Sequence, residues 1–145
     1  ELLSEISRSP VFAKADLRVA PASPGKAERL IPLLAHSTAT LYVNLEEASL
    51  ICKDQFPNAK VAAKAMIVRG ASRVLVTDGG GLAAEATADS IVTATPPQVM
   101  VTRVTGAGDT FMAAHIVSEL RGDDHQTALE TALRTAANYV SGKSE

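Results

Sequence analysis

The sequence predicts an α/β fold, a mostly parallel sheet with helices on both faces. Strand-like and helix-like stretches alternate along the chain, the order that builds βαβ units. Hydrophobic residues make up 46% but aromatics only 3%, with no Trp. The core is therefore built from Ala, Val, Leu and Ile, which suits helices packed closely on a buried parallel sheet. At 145 residues the chain is one domain, long enough to bury a real core.

Glu1 to Asp16 shows short apolar periodicity broken at Ser9-Pro10, and predicts helix on either side. Leu17 to Ala20 reads as a short strand. Ser23-Pro24 starts a helix, Ser at the N-cap and Pro at the first helical position. Ala27, Leu30, Ile31 and Leu34 give it one apolar face. Thr40 to Val43 is the next strand, ended by Asn44, and Leu45 to Lys53 is helical. Asn58 caps a helix over Ala59 to Arg69 that Gly70 stops. Arg73 to Thr77 is a strand of buried type. Leu82 to Thr95 is strand-like with a turn at Asp89-Ser90, a hairpin. After Pro96-Pro97, Gln98 to Val104 is β-branched at alternate positions and predicts a strand. Asp109 to Leu120 is helical, with Met112, Ile116 and Leu120 at helical spacing. Gly122-Asp123-Asp124 ends that helix and caps the last, whose inward face is Ala128, Leu129, Ala132, Leu133, Ala136, Ala137 and Val140. Right-handed crossovers put functional loops at the carboxyl ends of the strands, where Asn44, Thr77 and Thr105 are expected.

The formal net charge is −2 and no Lys/Arg cluster occurs, which argues against nucleic acid or an anionic membrane as partner. The single Cys52 rules out an intrachain disulfide and fits a reducing, cytoplasmic compartment. In a helical stretch it reads as a small buried hydrophobe rather than a nucleophile. No apolar run reaches membrane-spanning length and no signal peptide is visible. A start at Glu1 rather than Met is what a trimmed or partly represented chain is expected to show. His36, His115 and His125 have neither metal-ligand spacing nor a nucleophile beside them, and His115 reads as packing or surface.

The chemistry concentrates at Gly106-Ala107-Gly108-Asp109, a small-residue turn joining strand to helix. Amides in the first helical turn lack intrahelical partners, and the macrodipole adds positive charge there. Glycines let a ligand approach that backbone, so the turn is an anion site with the carboxylate of Asp109 inside it. A base beside an anion hole is what phosphoryl transfer from ATP to an alcohol needs. The plainer reading makes Asp109 the N-cap of its helix.

Thr105-Gly106-Ala107-Gly108-Asp109-Thr110-Phe111 resembles the C-terminal signature of the ribokinase-like (PfkB) carbohydrate kinases. The resemblance implies Asp109 as catalytic base and the Gly106, Ala107 and Gly108 amides as anion hole. Members of that family usually carry Asp or Asn where this chain has Arg103, which reads as a phosphate contact or a surface residue. Asn44-Leu45-Glu46-Glu47 is a capping box on its own terms. It is also similar to the family's Asn-x-x-Glu element, which implies that Asn44 and Glu47 organise Mg²⁺. Thr77-Asp78-Gly79-Gly80-Gly81 reads as a turn and also resembles the family's nucleotide loop, with the last glycine one position early. Thr77, Gly79 and Thr105 are then implied to touch ATP, and Asn138 either faces adenine or is a surface residue. Pro21-Ala22-Ser23 with Lys26-Ala27 looks like a segment of pseudouridine kinases and related kinases.

By element order the resemblance covers Asp16 to Val140. It implies that residues 1–145 are the C-terminal, ATP-binding and catalytic part of a ribokinase-like domain. The implied function is ATP- and Mg²⁺-dependent phosphorylation of a sugar or nucleoside hydroxyl, with the segment alone inactive. A homodimer is compatible with it. Two other readings stand beside it: a kinase-like module that binds nucleotide or phosphate without turnover, and an unrelated domain in which Asp109 and Asn44 are only caps.

Overall fold

The structure, a computed structural model, describes residues 5, 8, 16–21, 24–34 and 36–142. The helices expected in Glu1 to Asp16 fall almost entirely outside these residues, as do Ala22 and the expected cap Ser23. Among the described residues one sheet runs in the order β1 (Leu17–Val19), β2 (Ala39–Asn44), β3 (Arg73–Thr77), β4 (Ala83–Thr87), β5 (Ile91–Ala94). Helices α1 (Leu45–Cys52), α2 (Ala59–Val68), α3 (Ala107–Leu120) and α4 (His125–Val140) cover it. The α/β class is as expected, but the sheet is parallel only across β1, β2 and β3; β4 and β5 pair antiparallel. Short turns explain the change of sense, since Asp78–Gly81 closes with Gly81 N–H to Asp78 O, and Thr87 N–H bonds Ser90 O. Neither turn leaves room for a crossover helix.

Strand alternation sorts the side chains to two faces. Leu41, Val43, Val74, Val76, Ala84 and Ala86 face α1, α2 and the segment Pro24–Leu33. Tyr42, Leu75 and Ala83 face α3 and α4, packing on Phe111, Leu129, Ala132 and Leu133. The inward face expected for the last helix is buried at Ala128, Leu129, Ala132, Leu133 and Ala137.

Three local expectations change. Pro24–Leu33 is a 3-10 helix, not an α-helix. Three residues per turn bury Ala27, Leu30 and Leu33 in line, leaving Ile31 exposed, and Pro32 has no N–H to sustain α bonding. On α3 the deeply buried line is Phe111, His115 and Ser118, while Leu120 is 80% exposed. Gln98 to Val104 forms no strand. The sheet ends at β5, so this stretch has no ladder partner; Thr102 and Arg103 N–H groups instead donate to Val140 O. Met100, Val101 and Val104 are exposed. Thr105 therefore sits in a turn rather than at a strand end. No helix among the described residues is long and apolar enough to cross a membrane.

Candidate active site

The turn before α3 is held from behind. Gly106 is the N-cap, with φ of +92°, and a Cβ there would lie 2.5 Å from the Tyr139 hydroxyl. Only glycine suits both demands. Tyr139 Oη donates to Thr105 O at 2.6 Å. Arg103 lies over the Tyr139 ring at 4.1 Å and donates Nε–H to Tyr139 O at 2.6 Å. The last turn of α4 thus clamps the entry to the motif, and Arg103 is exposed on that clamp. Sequence reasoning passed over Tyr139, whose only advance signal was its place beside Asn138.

Asp109 is the third residue of α3, so it is not the cap. Its carboxylate is exposed and makes no hydrogen bond or ion pair among the described residues. Of the three expected anion-hole amides, Ala107 N–H is engaged by Val104 O at 3.1 Å. Gly106, Gly108 and Asp109 N–H groups have no partner among the described residues. A Cβ at Gly108 would meet nothing within 4 Å. Asp109 also borders a shallow groove of about 490 Å³ between α3 and α4, with Ala113, Val117, Arg121 and Thr135 along it.

The second group stands at the ends of β2 and β3. Asn44 and Thr77 are partners in the parallel register. Asn44 Oδ1 accepts from Glu47 N–H and Glu47 Oε1 from Asn44 N–H, both at 2.8 Å, so the capping box is present. Glu47 is buried, which pushes its pKa up against the pull of the Asn44 hydrogen bond. Its Oε2 has no protein partner among the described residues and is not shut off from water. That free oxygen fits a hydrated Mg²⁺, which keeps several waters and needs few carboxylates. Gly79 has φ of +56° in the turn that leaves β3. Asn138 is half-buried in the last turn of α4.

The direction of α3 joins the two groups. Phe111 packs edge-on against Tyr42, His115 reaches Tyr42 and Glu85, and Glu119 reaches Arg73 at the start of β3. The helix therefore runs antiparallel to β2 and β3, and its N-terminal turn lies toward Asn44 and Thr77. His115 is fully buried, not surface, bonded to Tyr42 Oη and to Glu85, both at 2.9 Å.

A model of the pfkB family carbohydrate kinases matches residues 2–144. The chain belongs to the pfkB family. Its fold is that of solved ribokinase and adenosine kinase structures. Ribokinase from Thermotoga maritima aligns with TM-score 0.77 at 22% identity, over 97% of this chain and 46% of that one. Adenosine kinase from Sinorhizobium meliloti aligns with TM-score 0.77 at 15% identity, over 96% and 43%. A protein described as a ribokinase II from E. coli, in complex with ATP and Mg²⁺, aligns with TM-score 0.67 at 25% identity, over 81% and 37%. The chain thus spans less than half the length of these structures. Comparison with curated protein sequences finds no match.

Proposed function

We propose that this chain is the ATP-binding and catalytic part of a kinase that phosphorylates a sugar or nucleoside hydroxyl. The observation that carries the reading is the unpaired Asp109 carboxylate among the unengaged amides at the head of α3. Asp109 accepts the proton of the substrate hydroxyl as its oxygen attacks the terminal phosphorus of ATP. Gly106, Gly108 and Asp109 N–H groups hold the charge that develops on the phosphoryl oxygens. Thr77, Gly79, Thr105 and Asn138 border the nucleotide. Asn44 and Glu47 hold Mg²⁺ through water; when bound, the ion screens phosphate charge. Family membership and the ATP- and Mg²⁺-bound relative support this reading.

The test is Asp109→Asn in the full-length protein, with kcat and ATP binding measured on the same sample. Asn leaves the turn intact, because Gly106 and not Asp109 is the cap. Loss of a general base costs on the order of 10²–10⁴ in rate. ATP affinity should hold or rise, a negative charge having left the phosphate site. Unchanged kcat would remove Asp109 from the mechanism. Saturable ATP binding with no phosphorylation of any sugar or nucleoside by the wild-type protein would favour a binding module without turnover.

A further inference from the structure

At the other end of α3 lies a cluster that the phosphoryl-transfer site does not use. Glu85 on β4 is 2% exposed, and its Oε2 is buried with no hydrogen-bond partner among the described residues. His125, the first residue of α4, places Nδ1 3.0 Å from that oxygen and 3.5 Å from Glu119 Oε2. The imidazole and Glu85 are close but out of line for an N–H bond, which is why the oxygen remains unpartnered. One donor atom from each of Glu85, Glu119 and His125 lies within 4.8 Å of the others. We propose that Glu85, Glu119 and His125 form a site for a divalent transition metal, Zn²⁺ by donor type, tying β4, α3 and α4 together.

The spacing fits the ion. Tetrahedral Zn²⁺ with N and O ligands at about 2.0–2.2 Å separates its donors by about 3.3 Å. The two edges from His125, 3.0 and 3.5 Å, bracket that value, and the edge between the two carboxylates lies within 4.8 Å. One imidazole and two carboxylates suit Zn²⁺, whereas Mg²⁺ prefers an all-oxygen octahedron. Glu85 is positioned from behind by His115, whose Nε2 meets Oε1 at 2.9 Å. Glu119 is positioned by Arg73, which bonds both its oxygens. Such outer partners hold metal ligands in place. The His125 ring is 49% exposed, beside a groove of about 350 Å³, so a fourth position opens to solvent.

The opposing effect is the charge of Arg73, 3.7 Å from Glu85 Oε2, and of Arg18 on Glu119. Asp16, Glu85 and Glu119 set three carboxylates against these two guanidiniums. The carboxylates favour a cation, and the arginines weaken its binding. The experiment is calorimetric titration of the metal-free protein with zinc chloride, with thermal melts and parallel Mg²⁺ titrations. One Zn²⁺ should bind, raise Tm and yield the spectrum of a tetrahedral centre when Co²⁺ replaces it. His125→Ala, at a half-exposed helix start that tolerates Ala, should weaken binding at least tenfold while the metal-free Tm stays near wild type. Absence of saturable Zn²⁺ binding, or binding that His125→Ala and Glu85→Gln leave intact, would overturn the site.

Discussion

Gly106 and Gly108 stand two residues apart in one motif and do different work. At Gly106 the backbone has φ of +92° and the Tyr139 hydroxyl fills the space a side chain would need. Gly106→Ala should cost about 1–3 kcal/mol in chemical denaturation, the usual range for forced backbone strain. At Gly108 a methyl group meets nothing. Gly108→Ala should leave stability within about 0.5 kcal/mol, helix propensity working in its favour, yet weaken ATP binding by crowding the exposed amides. Equal loss of stability in both variants would contradict this division. Cys52 offers a pH test. Burial, the largest influence, pushes its thiol pKa up, with Arg69 pulling weakly the other way. A folded pKa above the unfolded value adds stability that is fully present below about pH 9 and is lost as pH rises toward the folded value. Stability should therefore fall above pH 9 in wild type and fall less in Cys52→Ala. Iodoacetamide labelling should be slow until the protein unfolds.

At the scale of the element, α1 is set by its cap. The reciprocal bonds of Asn44 and Glu47 satisfy two amides at the junction of β2 and α1. Gln at position 47 retains the oxygen that accepts from Asn44. Glu47→Gln should therefore keep Tm close to wild type. In the full-length protein it should also lower activity and raise the Mg²⁺ requirement, because the charge is gone. Wild-type kinetics and Mg²⁺ dependence in that variant would leave Glu47 with the cap alone. The segment before α3 makes the contrasting case: its alternation is that of a strand, but an extended stretch without a neighbour has no ladder. The Thr102 and Arg103 N–H groups are met by the end of α4 instead.

At the scale of the molecule, α3 spans the sheet with a proposed site at each end. Its head carries Asp109 and the open amides toward Asn44 and Thr77. Its middle and tail carry His115 and Glu119 into a network with Tyr42, Glu85, Arg18 and Arg73. In Glu119 burial pushes the carboxyl up, but the bonds and charges of Arg73, with His115 and Arg18, outweigh it and hold the pKa at about 2. The chain spans less than half the length of the kinases it aligns with, and the proposed reaction needs a substrate hydroxyl held against Asp109. The isolated 145 residues should accordingly show no useful transfer from ATP to ribose, fructose or pseudouridine in a coupled assay. Robust turnover by this segment would show that it carries its own acceptor site.

Much of this protein was written locally. Asn44, Asn58 and Asp124 cap the helices they precede, and Gly70 and Gly122 follow helix ends with positive φ, because caps depend on only a few residues of chain. The motif from Thr105 to Phe111 was likewise legible as a turn into a helix. Glu85 was hidden, although a lone Glu among the alanines of Ala83–Thr87 was a signal that something charged must meet it. His115, Tyr42 and Arg18 are far apart in sequence, and no spacing rule pairs them. Only packing α3 antiparallel on β2 and β3 brings those groups into one buried network, because the partner of a buried charge is chosen by the face it is folded against, not by its neighbours in the chain.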